Sequence, residues 1–310
     1  MSVTEKTIDV VIPVYNGSKT VMPVVERLLQ LPVPGSWQVH IIVVNDASTD
    51  ETEATVKKLV TQRVRLQNLQ SNVGRAAARN HGAEGSAASF LLFLDADCLP
   101  EQGDFFQSVI GVLEKGADLA FGPIGDNGTG FWAEYQAEVE RQRAEHASQR
   151  RWLLAITSQN VLVRREAYEA VGGFNAEYTR YGFEDRDLAA RLLKSNVRVV
   201  HVPAMRVLHD SGNTLINYCE KMRIAAQYSA PMFFGEHPAL YRKMPFSRID
   251  PVTSSEIVRR VIAPIVLGMR RPVVGLAERL LEIDALPFRI KLVAVKMAAA
   301  ASYMDGAARR

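Results

Sequence analysis

What the chain has little of narrows the field first. Of 310 residues only two are cysteine, Cys98 and Cys219, too few for a disulfide framework, which points to a reducing compartment. The histidines, His40, His81, His146, His201, His209 and His237, are scattered, with no Cys/His zinc spacing. No run of 18 apolar residues occurs: the best stretches, 261–269 and 292–304, end at Arg270 and Arg271 or are broken by Lys296. A membrane-spanning helix is therefore not expected. The first residues, MSVTEKTIDVV, lack a basic segment followed by an apolar one, so no signal peptide is expected. No G-x-G-x-x-G follows any apolar run, which disfavours a dinucleotide-binding dehydrogenase. There is also no internal repeat or low-complexity tract.

What is present is ordinary globular material, 47% hydrophobic and 23% charged with a net charge of +3. The first 120 residues alternate strand and helix. Residues 8–14, 39–44, 64–69, 90–94 and 118–122 are short apolar runs bounded by Gly, Pro, Asn or Asp. Helices are expected from near Ser18, Thr49, Val73 and Glu101, the second opened by a Ser48/Glu51 capping box. Strands that are apolar throughout are covered on both faces, which predicts an α/β fold with a mostly parallel sheet between helix layers. Further on, a polar helix is expected over 131–151, a strand over 160–163, a helix over 165–171 closed by Gly172 and Gly173, and a helix over 185–195 with an Asp187–Arg191 pair. Strands are expected at 197–202 and 205–209, and mostly helix from about 213 onward. His201, inside a strand, reads as structural.

In a parallel sheet, ligands bind beyond the carboxyl ends of the strands. The first expected strand ends in Pro13, Val14, Tyr15 and Asn16, where Tyr15 offers a flat face either to a base or to packing. The second delivers Asp46, an acceptor for a base or ribose, or part of the helix cap. Arg75 and Arg79 share a face near a helix N-terminus, suited to phosphate or simply solvated. The fourth delivers Asp95, Ala96 and Asp97. Two carboxylates one residue apart repel unless something cationic is bound, and a hard divalent ion fits them better than a second helix cap does.

Together V-I-P-V-Y-N at 11–16, V-N-D-A-S-T-D at 44–50, N-V-G-R-A-A-A-R-N at 72–80 and L-D-A-D at 94–97 resemble glycosyltransferase family 2, of GT-A fold. The resemblance covers about the first 215 residues. It implies an inverting enzyme that moves a hexosyl group from a nucleotide-sugar donor, by family habit a UDP-sugar, to a glycan or glycolipid hydroxyl in polysaccharide biosynthesis. It also implies a divalent cation, Mg²⁺ or Mn²⁺. Position by position, Pro13, Tyr15, Asn16, Asp46, Arg75, Arg79, Asp95 and Ala96 would bind the donor. Asp97 and Asp95 would hold the metal, with His209, in V-L-H-D-S-G at 207–212, as a third ligand. Where the family commonly has D-D-G-S, this chain has Asn45, Asp46, Ala47 and Ser48. Downstream, G-G-F-N at 172–175 and G-F-E-D-R-D-L at 182–188 resemble the family's G-G-F-D-E and E-D-x-D-L segments. They imply Asp185 as catalytic base with Glu184 beside it. Ser158, Gln159 and Asn160 are candidates for the acceptor side.

The expected division is a catalytic domain over 1–215 and a basic, mostly helical C-terminal extension over 216–310. The first part carries 22 basic and 26 acidic residues, net −4; the last 95 residues carry 15 basic and 8 acidic, net +7. Basic residues accompany apolar ones in the tail, a composition suited to peripheral membrane contact or to a helical subdomain that packs on the core or forms a homodimer. Nucleic acid is not an expected partner, because aromatic interleaving is sparse. The expected location is cytoplasmic, with peripheral contact at the membrane face left open. Two alternatives stay open: a catalytically inactive sugar-nucleotide or partner-binding relative, and a sugar nucleotidyltransferase, which lacks its triphosphate loop here.

Overall fold

The computed structural model describes residues 6–101, 103–209 and 212–310. These divide into two compact units. One takes residues 6–128, 136–179 and 188–209; the other takes Thr129–Tyr135, Arg180–Asp187 and Gly212–Arg310. The C-terminal helices thus recruit two short stretches from the interior of the sequence.

The first unit is built on β1 (Thr7–Val14), α1 (Val21–Gln30), β2 (Gln38–Asn45), α2 (Thr52–Lys57), β3 (Val64–Asn68), α3 (Arg75–Glu84) and β4 (Phe90–Leu94). Next come β5 (Cys98–Pro100), α4 (Phe105–Leu113), β6 (Leu119–Phe121), β7 (Ile124–Asp126) and most of α5 (Phe131–Ser148). It continues through α6 (Trp152–Ala155), β8 (Asn160–Arg164), α7 (Arg165–Ala170), the later part of α8 (Glu184–Lys194), β9 (Val199–His201) and β10 (Val207–His209). The main sheet has seven strands in the order β3-β2-β1-β4-β8-β6-β9. β8 runs antiparallel to both neighbours, and the other pairings are parallel. All five residues of β4 and the central run of β1 are buried, as strands covered on both faces must be. Burying each such aliphatic side chain contributes about 1.5–3 kcal/mol.

Register puts the strand ends level. Val14 pairs with Asn45, Asn45 with Asn68, and Val11 with Phe93. The loops that follow β1, β2, β3 and β4 therefore leave one edge of the sheet, and they carry Tyr15, Asp46, Asn72 and Asp95. A second sheet, β5-β10-β7, sits just past β4, with His209 opposite Cys98.

Two local expectations change. Each of the first four helices begins a few residues later than its sequence suggests, because the preceding residues build loop contacts instead. The Ser48/Glu51 capping box does not form: α2 starts at Thr52, and Ser48 Oγ accepts from Asn16 N–H at 3.0 Å. Arg191 Nη1 donates to the carbonyls of Val171 (2.6 Å) and Gly173 (2.7 Å), clamping the glycine turn. His201 packs against Phe121 with ring centroids 5.1 Å apart, and burial lowers its pKa, in keeping with a structural role.

The second unit is helical: α9 (Leu215–Ile224), a π-helical turn at Ala225–Ser229, α10 (Ala230–Glu236), α11 (Pro238–Tyr241), α12 (Ala263–Leu281) and α13 (Phe288–Ala307). Leu215, Cys219, Ala277, Val295 and Ala298 form its core, flanked by Phe131, Trp132 and Tyr135 from the start of α5. Buried Asp250 accepts from the Tyr241 hydroxyl at 2.5 Å and from Arg310 at 2.8 Å and 3.2 Å, so its charge is compensated. Among the described residues no helix is long and apolar enough to cross a membrane.

α3 approaches the sheet closely at Gly82, where an added Cβ would overlap the Val11 Cγ1 methyl and crowd Val44. Alanine there gains about 1 kcal/mol of helix propensity but forces a close-packed layer apart at a cost of roughly 1–3 kcal/mol. Gly82→Ala is expected to lower the denaturant midpoint without changing the m-value; an unchanged or raised midpoint would show that the layer yields.

Candidate active site

The turn after β1 is built by side chains. Asn16 sits at φ +52, and its Oδ1 accepts from Thr49 N–H at 2.8 Å, joining the β1 and β2 loops. Asp50 joins them again, accepting from Ser18 N–H at 3.2 Å; the Thr52 hydroxyl foremost holds its carboxyl down to about 2. Tyr15 is left 51% exposed beyond half-buried Pro13, a flat aromatic face at the strand-end edge. Asn16 is thus part of the frame as well as a candidate for donor contact.

Ala47 explains a departure noted in the sequence. Its φ is +55, the left-handed region that glycine enters freely and alanine only with strain. A family glycine at this position has a backbone reason, and this chain tolerates alanine at a cost.

Asp46 is built into the fold. It is buried, and its two carboxylate oxygens accept from Val73 N–H (2.8 Å) and Gly74 N–H (3.0 Å). It holds the loop that starts α3, where Gly74 at φ +85 approaches the backbone of Thr179. An acid rather than an amide is required here, because both partners are donors. Arg75, in the first turn of α3, is exposed.

Arg79 departs from expectation. It is not on the exposed face with Arg75 but is 1% exposed, with Nη2 2.6 Å from Asp95 Oδ1 and its guanidinium over the Phe174 ring at 5.2 Å. The carboxylate after β4 draws it inward. Next in the chain, Asn80 Oδ1 accepts from the Tyr168 hydroxyl at 2.5 Å and from Phe174 N–H at 2.9 Å. Successive residues of α3 therefore fix the two segments that follow β4 and α7.

Asp97 points elsewhere. β5 begins one residue later and pairs with β10, which brings His209 Nε2 to 3.2 Å from Asp97 Oδ2. Burial works to raise the Asp97 carboxyl. The hydrogen bond and charge of His209, a backbone N–H and Arg75 outweigh it and hold the group below the usual carboxylate range. Cys98 is buried, and that burial, reinforced by Asp95 and Asp97, pushes its thiol well up, so it is no thiolate ligand or nucleophile at neutral pH. Asp95 is committed to Arg79, while Asp97 and His209 converge as an oxygen and a nitrogen donor. That pair, completed by phosphate oxygens and water, suits Mn²⁺ or Mg²⁺. Half-buried Ala96 lies between them. Asp210 and Ser211 of the same segment lie outside the described residues. Of the acceptor-side candidates, Asn160 is buried with Nδ2 2.6 Å from the Met205 carbonyl, Ser158 is buried, and half-buried Gln159 accepts from Asp95 N–H at 3.2 Å through its backbone carbonyl.

In the second unit, α8 opens from a constrained turn. Gly182 has φ +98 and Phe183 φ +68, the latter held by its ring among Phe233, Tyr241 and Phe246. For a bulky residue this conformation is costly and persists only where packing enforces it. Glu184 is buried, whereas Asp185 is half-exposed and accepts from Arg186 N–H at 2.8 Å. Of the two acids, Asp185 is the one open to an incoming group. Buried Asp187 meets His237 Nε2 at 2.8 Å. Among the described residues Asp187, Glu236 and His237 are the one trio of carboxylate and imidazole donors within 4.8 Å of one another, a closeness that the His237 hydrogen bond accounts for.

The mostly parallel sheet, with Asp95-Ala96-Asp97 following β4, is that of a GT-A-like domain, and comparison with known proteins agrees in fold and family. Residues 9–172 match the family described as Glycosyl transferase family 2, and residues 143–211 match one described as N-terminal domain of galactosyltransferase. The chain belongs to glycosyl transferase family 2. Glycosyltransferase AglE of Haloferax volcanii is 30% identical over 56% of this chain and 58% of its own length. Dodecaprenyl-phosphate galacturonate synthase of Rhizobium johnstonii is 29% identical over 37% of this chain and 35% of its own length. The matches to these curated relatives span between about a third and three fifths of their length. Among solved structures, the mannosyltransferase PcManGT from Pyrobaculum calidifontis, in complex with GDP-Man and Mn2+, superposes with TM-score 0.61 at 16% identity, over 96% of this chain and 86% of that one. S. aureus TarS 1-349 in complex with UDP gives 0.54 at 15% identity, over 96% and 89%. The shared fold is GT-A with a helical C-terminal region.

The strain at Ala47 is testable. Ala47→Gly is expected to stabilise the protein by about 1 kcal/mol, less than the full left-handed penalty because glycine also gains unfolded-state entropy. A thermal midpoint that falls would contradict it.

Proposed function

We propose that this protein is an inverting, divalent-cation-dependent glycosyltransferase. In this reading it transfers a hexose from a nucleotide-diphosphate donor, a UDP-sugar, to a hydroxyl of a glycan or glycolipid acceptor in the cytoplasm. The observation that carries the reading is the convergence of Asp97 and His209 at the end of β4 while Arg79 neutralises Asp95 from within. Such an arrangement keeps one carboxylate in the fold and turns the other toward a ligand.

The donor's base would stack on Tyr15, with Pro13 and Asn16 shaping the turn and Arg75 near the phosphates at the α3 N-terminus. Asp97 and His209 would hold the cation, and Asp95 with Ala96 would line the ribose side. When bound, the cation supplies charge compensation for the departing diphosphate. Asp185 would accept the proton of the attacking hydroxyl, and the strained turn before it would fix its direction. What the neighbours carry supports the donor and cation in this reading: one solved structure holds GDP-Man with Mn2+ and another UDP.

A panel of nucleotide sugars, assayed for slow metal-dependent hydrolysis and then for transfer, tests the assignment of donor. With the active donor, Asp185→Asn is expected to lower the turnover rate by roughly 10²–10⁴-fold, the usual contribution of a general base, while donor affinity holds. Full turnover in that variant would remove Asp185 from the mechanism, and no hydrolysis with any donor would favour an inactive binding protein.

A further inference from the structure

The outer faces of α12 and α13 run against the pattern of a helix exposed to water. On α12, Ile265, Met269 and Leu276 recur at i, i+4 and i+11; on α13, Ile290, Val293 and Met297 recur at i, i+3 and i+7. All six are between 49 and 59% exposed. The opposite sides of the same helices carry Ala263 and Ala277, and Val295 and Ala298, which are buried. A surface helix normally turns its apolar stripe inward and its charges outward. Here each helix carries apolar side chains on its buried and on its exposed side, and exposed apolar residues grouped on one helix face mark an interface.

Charge decides what that interface meets. Residues 255–297 hold eight basic and four acidic side chains. Arg259, Arg271, Arg279, Arg289 and Lys296 are exposed in this region, as is Arg260, which pairs with Glu256 at 2.8 Å. A two-fold contact between copies would set one surface against itself, and this excess of cations with it. An anionic lipid surface pairs with the same cations, while their long aliphatic stems reach past the apolar side chains toward the headgroups. No described helix is long and apolar enough to span, so the fit is to lying in the interface.

We propose that α12 and α13 dock the protein onto an anionic bilayer, the apolar stripes entering the headgroup boundary and the arginines and lysine pairing with lipid phosphates. This is independent of the donor and catalytic assignments, since none of these residues takes part in them.

The test is flotation of the full chain with phosphatidylcholine vesicles, with or without phosphatidylglycerol, at low and raised salt. Binding is expected with the anionic vesicles only, weakened by salt. Arg271→Glu with Arg279→Glu is expected to lower the partition coefficient at least about tenfold, on the scale of one basic residue's contribution at such a surface. Ile265→Ser with Leu276→Ser should lower it as well. Circular dichroism should find both variants folded, since the altered side chains are exposed. Absence of binding to anionic vesicles, or equal binding to neutral vesicles and by the charge-reversed variant, overturns the proposal. So does a dimer that is dispersed by the serine variant and does not bind vesicles.

Discussion

The ion pair between Arg79 and Asp95 is the contact on which the arrangement at the strand ends rests. A β4 that is apolar at every position delivers two carboxylates to one small region, and their repulsion in a partly buried setting has to be met. A guanidinium sealed beneath the loop meets it for Asp95. Removing one partner of such a pair commonly costs about 3–5 kcal/mol, since the other charge stays buried. The pair also divides the labour between the carboxylates. Asp95 is fixed to the core, while the pairing of β5 with β10 sets Asp97 against His209.

α3 spreads this order outward. The two residues before it are held by Asp46 through their backbone amides, Arg79 in its middle holds Asp95, and Asn80 holds Phe174 after the glycine turn. Gly82 lets the helix approach β1 and β2 closely enough for those reaches to work. The run from Asn72 to Asn80 is therefore chiefly a brace that orients three other segments, with Arg75 as its outward member.

Much of this was legible in the sequence, and the exceptions have physical causes. Fully apolar runs at β1, β2 and β4 declared a sheet covered on both faces, and the polar residues after them declared a common edge. Helix starts were misread because Asn16, Ser48 and Asp50 prefer to bridge loops over capping helices, a competition that local pattern does not resolve. Arg79 looked like a surface residue because a buried arginine is rare without a partner, and its partner lies in the loop after β4. β5 and β10 are three residues each, too short for periodicity to fix their pairing, so the approach of His209 to Asp97 was available only as a likeness to a family. His237 lies fifty positions from Asp187 and had no signal at all. Ala47 was visible as a departure, and its positive φ supplies the reason.

The central claim is that Asp97, set against His209, binds the cation that accompanies the nucleotide diphosphate. Calorimetric titration with UDP and with GDP, each with and without Mn²⁺, on the wild-type protein and Asp97→Asn tests it directly. The account predicts tighter binding of one nucleotide in the presence of Mn²⁺ and loss of that gain in the folded variant. The same gain in wild type and Asp97→Asn would contradict it.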